Sequence, residues 1–393
     1  LYPKPHQTVK LKQFCGAVRA LYNIALEQRS LYGKKHNISV FTQGKEVKEL
    51  RDDFEWFKEV PQKALINSLR DLDNAYKRFF KGISGYPKFK KKYQNNSFKL
   101  NVDKTHKTVG RPRRYSKNGG YIHIMKIGDV KFRGWRKMEG VIKNVTVYEK
   151  AGNWFASVLY EQEVKEQNNN FSSPIGIDLG IKNFVTCSDG TFIKSLNFKK
   201  KEKLLKLRQK QLSRKKKGSK GFIKKKKQVQ KLYTKITNVR KNFLHNVSHN
   251  LANSHGLIII EDLKIKNMSK SSKGTLNNPG KNVKQKSGLN RLILSQGWYT
   301  FKTFLEYKLK QKGGLLISID PKYTSQTCFK CGHVSKDSRL TQSKFKCVKC
   351  DYEENADLNA SRNILNRSIP SGLLPVEAIS LVRETGTSLI TKK

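Results

Sequence analysis

Three acidic residues stand where acids are rare. Asp178 interrupts the apolar run Ile175, Ile177, Leu179, Ile181, and an unpaired ionised carboxylate in such a strand is costly unless a cation accompanies it. Glu261 closes the apolar run from Leu257 to Ile260, and Asp357 opens the helical segment that ends near 367. In sheets whose strands are joined by helices, functional groups gather at the carboxyl ends of the strands. Three carboxylates from three elements would form a hard oxygen cluster, which suits two magnesium ions, or manganese, far better than zinc. Paired ions of that kind activate a water and stabilise a departing oxygen, the chemistry of phosphodiester hydrolysis.

Each of the three also has a plainer role. The DLG at Asp178 resembles the start of the phosphate-binding strand in actin-like sugar kinases, although no glycine-rich adenosine loop or second large domain accompanies it. Asp262 competes with Glu261, because neighbours on a strand point to opposite faces and only one can face the site. Asp357 could simply cap its helix.

A second constellation is made of thiols. Cys328 and Cys331 form one C-x2-C pair, Cys347 and Cys350 another, and fifteen residues separate the pairs. This is the spacing of a four-thiolate ribbon around one tetrahedral zinc, and four cysteines leave no open position, so the zinc would be structural. His333 lies nearby but is not needed. His245 and His249 are one helical turn apart without a third ligand, which reads as solvated or phosphate-facing. Cys15 and Cys187 stand alone in apolar surroundings and read as buried and inert.

The elements that must position these groups follow from hydrophobic periodicity. Residues 6 to 81 read as helical, with Phe14, Ala17, Val18, Leu21, Tyr22 and Ala25 on one stripe and Leu65, Leu69, Leu72 and Phe79 on another after Pro61. The outward face of the second stripe carries Lys63, Asn67, Arg70 and Lys77. A basic loop, GYPKFKKKY, occupies 85 to 93. Short alternating strands fill 97 to 163, including a hairpin at Ala151, Gly152 and Asn153, and the polar stretch 167 to 173 reads as the main domain boundary.

Three strands then come in quick succession, at 175 to 181, 183 to 189 and 191 to 198. A basic helical hairpin at 199 to 254 breaks at Gly218 to Gly221, with Val229, Leu232, Ile236, Val239, Phe243, Val247 and Leu251 along its second arm. A strand at 257 to 263, a helix at 289 to 312, a strand at 315 to 320, the cysteine segment and a last helix complete the order. Three antiparallel strands opening a sheet that continues through helical crossovers is the RNase H-like arrangement, here with a cysteine module inserted before the last helix.

Composition names the kind of partner. Against 30 Asp and Glu stand 81 Lys and Arg, a net charge of +51, with 36% hydrophobic residues in 393. Self-repulsion of that size calls for a polyanion, and nucleic acid supplies one with counterion release as the driving force. A non-catalytic nucleic-acid packing protein and a DNA-only transposase or resolvase are the competing classes. No run of about 20 apolar residues could span a bilayer and no secretory signal is evident, so the sequence implies a cytoplasmic location and no membrane partner. The chain opens at Leu1 inside what looks like a motif, LYPKPHQ, which suggests a preceding segment.

Taken together, GIDLGIKNFVTCSDG, IIIEDLKIKNM, TSQTCFKCG with CVKC, and NADLNASRNI resemble the three RuvC motifs and zinc finger of the TnpB family of insertion-sequence proteins, relatives of type V CRISPR effectors. The resemblance extends to LYPKPHQ, RALYN and GYPKFKKK. It implies an α+β multidomain chain: a β-barrel wedge domain at 1–5 and 82–170 and a helical recognition domain at 6–81. A RuvC-like nuclease domain would take 171–322 and 355–368, a zinc-ribbon insertion 323–354, and a flexible tail 369–393. By the same resemblance Asp178, Glu261 and Asp357 are the catalytic, magnesium-holding residues and Cys328, Cys331, Cys347 and Cys350 the zinc ligands. The partners would be a guide RNA from the transposon end, with one chain per RNA, and double-stranded target DNA beside a short flanking motif. Gln62, Lys63, Arg70 and Lys77 are the candidate nucleic-acid contacts. All three carboxylates are present, unlike in nuclease-inactive RNA-guided DNA-binding descendants of the family. Two departures stand out: Asp351 follows the fourth cysteine where the family commonly has glycine, and Asn355-Ala356-Asp357 replaces a more acidic run.

Overall fold

The computed structural model describes residues 1–33, 38–92, 96–102, 109–110, 112–134, 140–162 and 173–368, without the Tyr115 side chain. Two compact units make up the chain, Leu1–Glu163 and Val164–Lys393. The expected linker at 167–173, apart from Ser173, and the tail at 369–393 lie outside the described residues.

The first unit begins with helices α1 (Pro5–Tyr32), α2 (Val40–Asp53), α3 (Glu55–Lys58) and α4 (Gln62–Phe80). Strands β1 (Ser97–Asn101), β2 (Arg113–Ser116), β3 (Gly119–Ile124), β4 (Gly128–Arg133), β5 (Val141–Lys150) and β6 (Asn153–Glu161) follow. They form two three-stranded antiparallel sheets, β1-β5-β6 and β2-β3-β4. The six stripe residues expected on α1 are all buried. Helices and strands share one core, in which Phe14 of α1 meets Phe98 of β1 edge-on at 5.4 Å.

In the second unit, β7 (Ile175–Asp178), β8 (Asn183–Cys187) and β9 (Phe192–Lys194) precede the helical hairpin α5 (Lys199–Ser213) and α6 (Lys220–Ser254). After them come β10 (Leu257–Glu261), α7 (Ile265–Met268), α8 (Val283–Gln296), α9 (Trp298–Lys310) and β11 (Leu315–Ile319). A small hairpin of β12 (Lys344–Lys346) and β13 (Glu353–Asn355) leads into α10 (Ala356–Ser368). The main sheet runs β11-β10-β7-β8-β9, with β10 parallel to both its neighbours and β7, β8 and β9 antiparallel. The expected single helix at 289–312 is two helices, because Gly297 adopts a left-handed φ of 77° that ends α8 and restarts the chain as α9.

Strand β10 explains why this sheet is so apolar. All four residues from Leu257 to Ile260 are fully buried, and alternation sends them to opposite faces. Ile258 and Ile260 join Phe301 and Leu305 of α9 and Leu251 of α6, while Leu257 and Ile259 join Ile317, Ile319 and Ile364 of α10. A sheet covered by helices on both faces needs such continuous apolar strands, and each buried isoleucine contributes on the order of 2 kcal/mol. Any carboxylate at the end of these strands is therefore fixed by a rigid frame.

Candidate active site

Strand register brings two of the acids together. Ile260 pairs with Ile177 in the parallel β10–β7 ladder, so the next residue of each strand, Glu261 and Asp178, ends its strand beside the other. Asp357 arrives on the first turn of α10, which lies against β7. That approach depends on Gly176: a Cβ there would come within 2.2 Å of the Ser361 carbonyl oxygen and 2.7 Å of the Leu365 nitrogen. Only glycine lets the helix lie this close.

The cluster is short of positive charge. Desolvation, the carboxylate of Glu261 and that of Asp357 together push the Asp178 carboxyl up to about 8, with Arg339 working against them. Burial also raises Glu261, opposed by a hydrogen bond from Thr324 and by the charges of Arg367 and Arg339. Acids that raise one another in a desolvated site are what a divalent cation would relieve, and an all-oxygen donor set fits magnesium or manganese.

The plainer alternatives for these residues separate cleanly. Asp262 faces away, toward Lys264 and toward Lys302 at 3.3 Å. Glu261 instead accepts a hydrogen bond from the Thr324 hydroxyl at 2.5 Å. The helix cap is Asn355, whose Oδ1 accepts from the amides of Asp357 and Leu358 at 3.0 and 3.2 Å. Asp357 is not spent on capping.

The four cysteines converge as the spacing implies. Their sulfurs all lie within 4.8 Å of one another, a gathering that no other group of three or more histidine, cysteine or carboxylate side chains matches among the described residues. Cys328 and Cys350 are 3.7 Å apart, Cys331 and Cys347 3.6 Å. Metal–sulfur bonds of about 2.3 Å in a tetrahedron put the sulfurs roughly 3.8 Å apart, so the thiols fit zinc. Asp351, just past the last cysteine, has a left-handed φ of 54°, which is why glycine suits that position.

Several contributors were not legible as functional residues. Thr324 sits at the base of the cysteine module, and Asn359 and Asn363 of α10 bind that same base: Asn363 Nδ2 donates to the carbonyls of Thr324 and Thr327, and Asn359 Oδ1 accepts from the Phe329 amide. Asn359 and Asn363 are buried polar residues within NADLNASRNI, a placement that sequence alone does not distinguish from a solvated face. Arg339, between the cysteine pairs, acts electrostatically on both Asp178 and Glu261.

The remaining expectations divide. Gln62, Lys63 and Arg70 line one cavity of about 380 Å³ together with Ile66, Asn67, Asn101 and Val102. Lys77 is not part of it and instead pairs with Asp73 at 3.0 Å. Asn67 is not on an outward face but 4% exposed, donating to the Lys99 carbonyl. His245 is not solvated, since its ring stacks on Phe304 at 3.9 Å; His249 is exposed beside Asn253. Cys15 and Cys187 are buried, and burial pushes both thiols up to about 12. No described helix is long and apolar enough to cross a membrane.

Known proteins resemble this chain along most of its length. The family model for OrfB proteins of IS605 type, described as "Probable transposase", matches residues 157–272. A Cas12f1-like TNB domain matches 298–364 and a helix-turn-helix domain 1–37. InsQ of Escherichia coli (strain K12), named as a candidate RNA-guided DNA endonuclease, is 39% identical over 93% of this chain and 90% of its own. A Streptomyces pristinaespiralis protein of the same designation is 29% identical over 93% of this chain and 87% of its own. In fold, the chain matches Cas12f1 from a cryo-EM structure of its complex with sgRNA and target DNA, with a TM-score of 0.58 at 18% identity, across 92% of this chain and 82% of that one.

Proposed function

Because this chain belongs to the TnpB family of insertion-sequence proteins, we propose that it is an RNA-guided endonuclease that cuts double-stranded DNA pairing with its guide RNA beside a short transposon-adjacent motif. The observation that carries this reading is the meeting of Asp178, Glu261 and Asp357, drawn from β7, β10 and α10, in a desolvated cluster short of positive charge. Asp178, Glu261 and Asp357 would hold two magnesium or manganese ions, which when bound supply an activated water and a stabilised leaving oxygen. The chain's own contribution is to fix those three oxygens on a rigid sheet and to place a guanidinium, that of Arg339, beside them. Thr324 holds the Glu261 carboxylate in one orientation. The four cysteines would hold one structural zinc.

On this reading the second unit carries a RuvC-like nuclease domain at 171–322 and 355–368, interrupted by the ribbon at 323–354. The first unit divides into a wedge at 1–5 and 82–170 and a recognition domain at 6–81. The cavity of Gln62, Lys63 and Arg70 is its candidate contact for the flanking duplex. Sequence would be read by base pairing with the guide, and the basic surface would follow phosphates.

Programmability tests the proposal. The chain purified with its RNA is given two plasmids that differ only in target sequence, and the guide segment of the RNA is then exchanged. Cutting is expected to follow the guide, to stop when the RNA is removed, and to be lost in Asp178→Ala or Glu261→Ala without loss of target binding. Cutting that ignores the guide would leave a metal-dependent nuclease of the resolvase kind.

A further inference from the structure

Two sequence motifs, RALYN and GYPKFKKK, have no part in the site above, yet they meet. Asn23 of α1 clamps the loop after α4 with both ends of its amide. Its Nδ2 donates to the Lys90 carbonyl at 3.1 Å, and the Lys90 amide donates to its Oδ1 at 2.8 Å. The Lys90 ammonium turns inward over the Tyr22 ring, 3.8 Å from the centroid. Pro87 is buried too. With these two anchored, Phe89 is left 55% exposed between the exposed lysines Lys88 and Lys91.

The start of the same loop carries more exposed apolar surface. Phe80 is 78% exposed, Ile83 63% and Tyr86 46%. These rings are not loose: the Tyr86 hydroxyl is 2.9 Å from that of Tyr76, and the Tyr86 ring stands edge-on to Tyr76 at 5.6 Å and Phe79 at 5.3 Å. Arg78 and Lys81, also exposed, border them at the end of α4. Rings held rigid in water and interleaved with cations match the demands of single-stranded nucleic acid, whose bases stack on ring faces while its phosphates meet lysines.

We propose that the 80–91 segment, held in place by the Asn23–Lys90 clamp, is a stacking platform for an unpaired stretch of the guide RNA. This rests on the RNA-guided reading. RNA is favoured over target DNA because DNA arrives as a duplex with its bases already stacked and paired, whereas an RNA offers unpaired bases from the outset. The cations around the rings argue for a polyanion over an apolar protein surface.

Binding of the full chain to two end-labelled probes tests the platform: the RNA that copurifies with it, and a single-stranded oligouridylate set against an RNA duplex of equal length. The Phe80→Ala/Phe89→Ala variant is expected to bind the copurifying RNA and the oligouridylate on the order of tenfold more weakly, with the duplex unaffected. Phe80→Tyr/Phe89→Tyr should retain binding. Lys88→Ala/Lys91→Ala should flatten the salt dependence by about one unit of slope, which the ring variants should leave unchanged. Asn23→Ala, which keeps every ring but frees the loop, should weaken binding in the same sense. The platform is overturned if the ring variants bind both single-stranded probes like wild type, if they weaken duplex equally, or if they alter only the mass of the free chain in sedimentation, the mark of a self-association face. A wild-type chain that brings down no RNA would overturn the RNA-guided reading and the platform with it; tight wild-type binding that the ring variants match would overturn the platform alone.

Discussion

The Thr324 hydroxyl donates to Glu261 Oε1 at 2.5 Å, across 63 positions of sequence. One residue at the base of the cysteine module thereby sets the orientation of a carboxylate on the central strand. Thr324 is itself 3% exposed and tied through its carbonyl to Asn363 of α10, so the module, the strand and the helix that carries Asp357 share one hydrogen-bonded joint. A zinc ribbon so placed can govern a carboxylate it does not contain.

Replacing Thr324 by valine keeps the shape and removes the hydroxyl. Partners that orient a metal ligand are typically worth 10- to 100-fold in metal affinity or activity. Thr324→Val is therefore expected to cut DNA roughly 10- to 100-fold more slowly at limiting magnesium, with zinc content and RNA binding retained, and Thr324→Ser to recover most of the rate. A magnesium titration of cleavage rate decides it. Wild-type kinetics in the valine variant would remove Thr324 from the site.

The pH response of the acid cluster has a definite sign. The Asp178 carboxyl titrates near 8 in the folded chain against a usual 3.8, so the native state holds a proton that the unfolded chain has already lost across that window. Its contribution to stability is fully present below about pH 4 and is lost as pH rises through about 8. A bound divalent ion displaces the proton, so the rise in melting temperature on adding magnesium is expected to grow between about pH 6 and about pH 8. Thermal melts in magnesium-free and magnesium-replete buffer check this, and Asp178→Asn should flatten the trend.

Purified protein is expected to carry about one zinc per chain. Cys347→Ser should lose it, with proteolytic sensitivity appearing first around 323–354 and cleavage falling through the loss of the Thr324 joint. Elemental analysis by mass spectrometry reads the metal directly. Full zinc occupancy in the serine variant would count against the four-thiolate assignment.

Gly176→Ala should act at a distance from any charge. Its Cβ meets backbone atoms of α10 and not a flexible side-chain tip, so the helix must shift, at a cost of about 1–3 kcal/mol. The expected result is a lower melting temperature and a large loss of cleavage, with binding of guide RNA little changed. Unaltered cleavage would mean that α10 need not lie so close to β7.

The sequence by itself determined the chemistry available and the order of the elements. Acids inside or at the end of apolar runs at Asp178 and Glu261, and two C-x2-C pairs, are local signals, because burying a charge or pairing thiols leaves a pattern that neighbours in the chain reveal. Strand and helix order followed from periodicity for the same reason. What only the tertiary structure decided were relations between distant residues. Whether Glu261 or Asp262 faces the cluster depends on where Lys302 and Thr324 arrive in space, and whether Asp357 caps α10 depends on Asn355 taking that task first. Asn67 and His245 looked outward on a helical wheel, but β1 and α9 cover them, and a wheel does not know its neighbours. Gly176 carried no signal at all, since the close approach that requires it belongs to a helix 180 residues further along the chain; the physical reason is that packing contacts are set by the fold's shape, which no single segment contains.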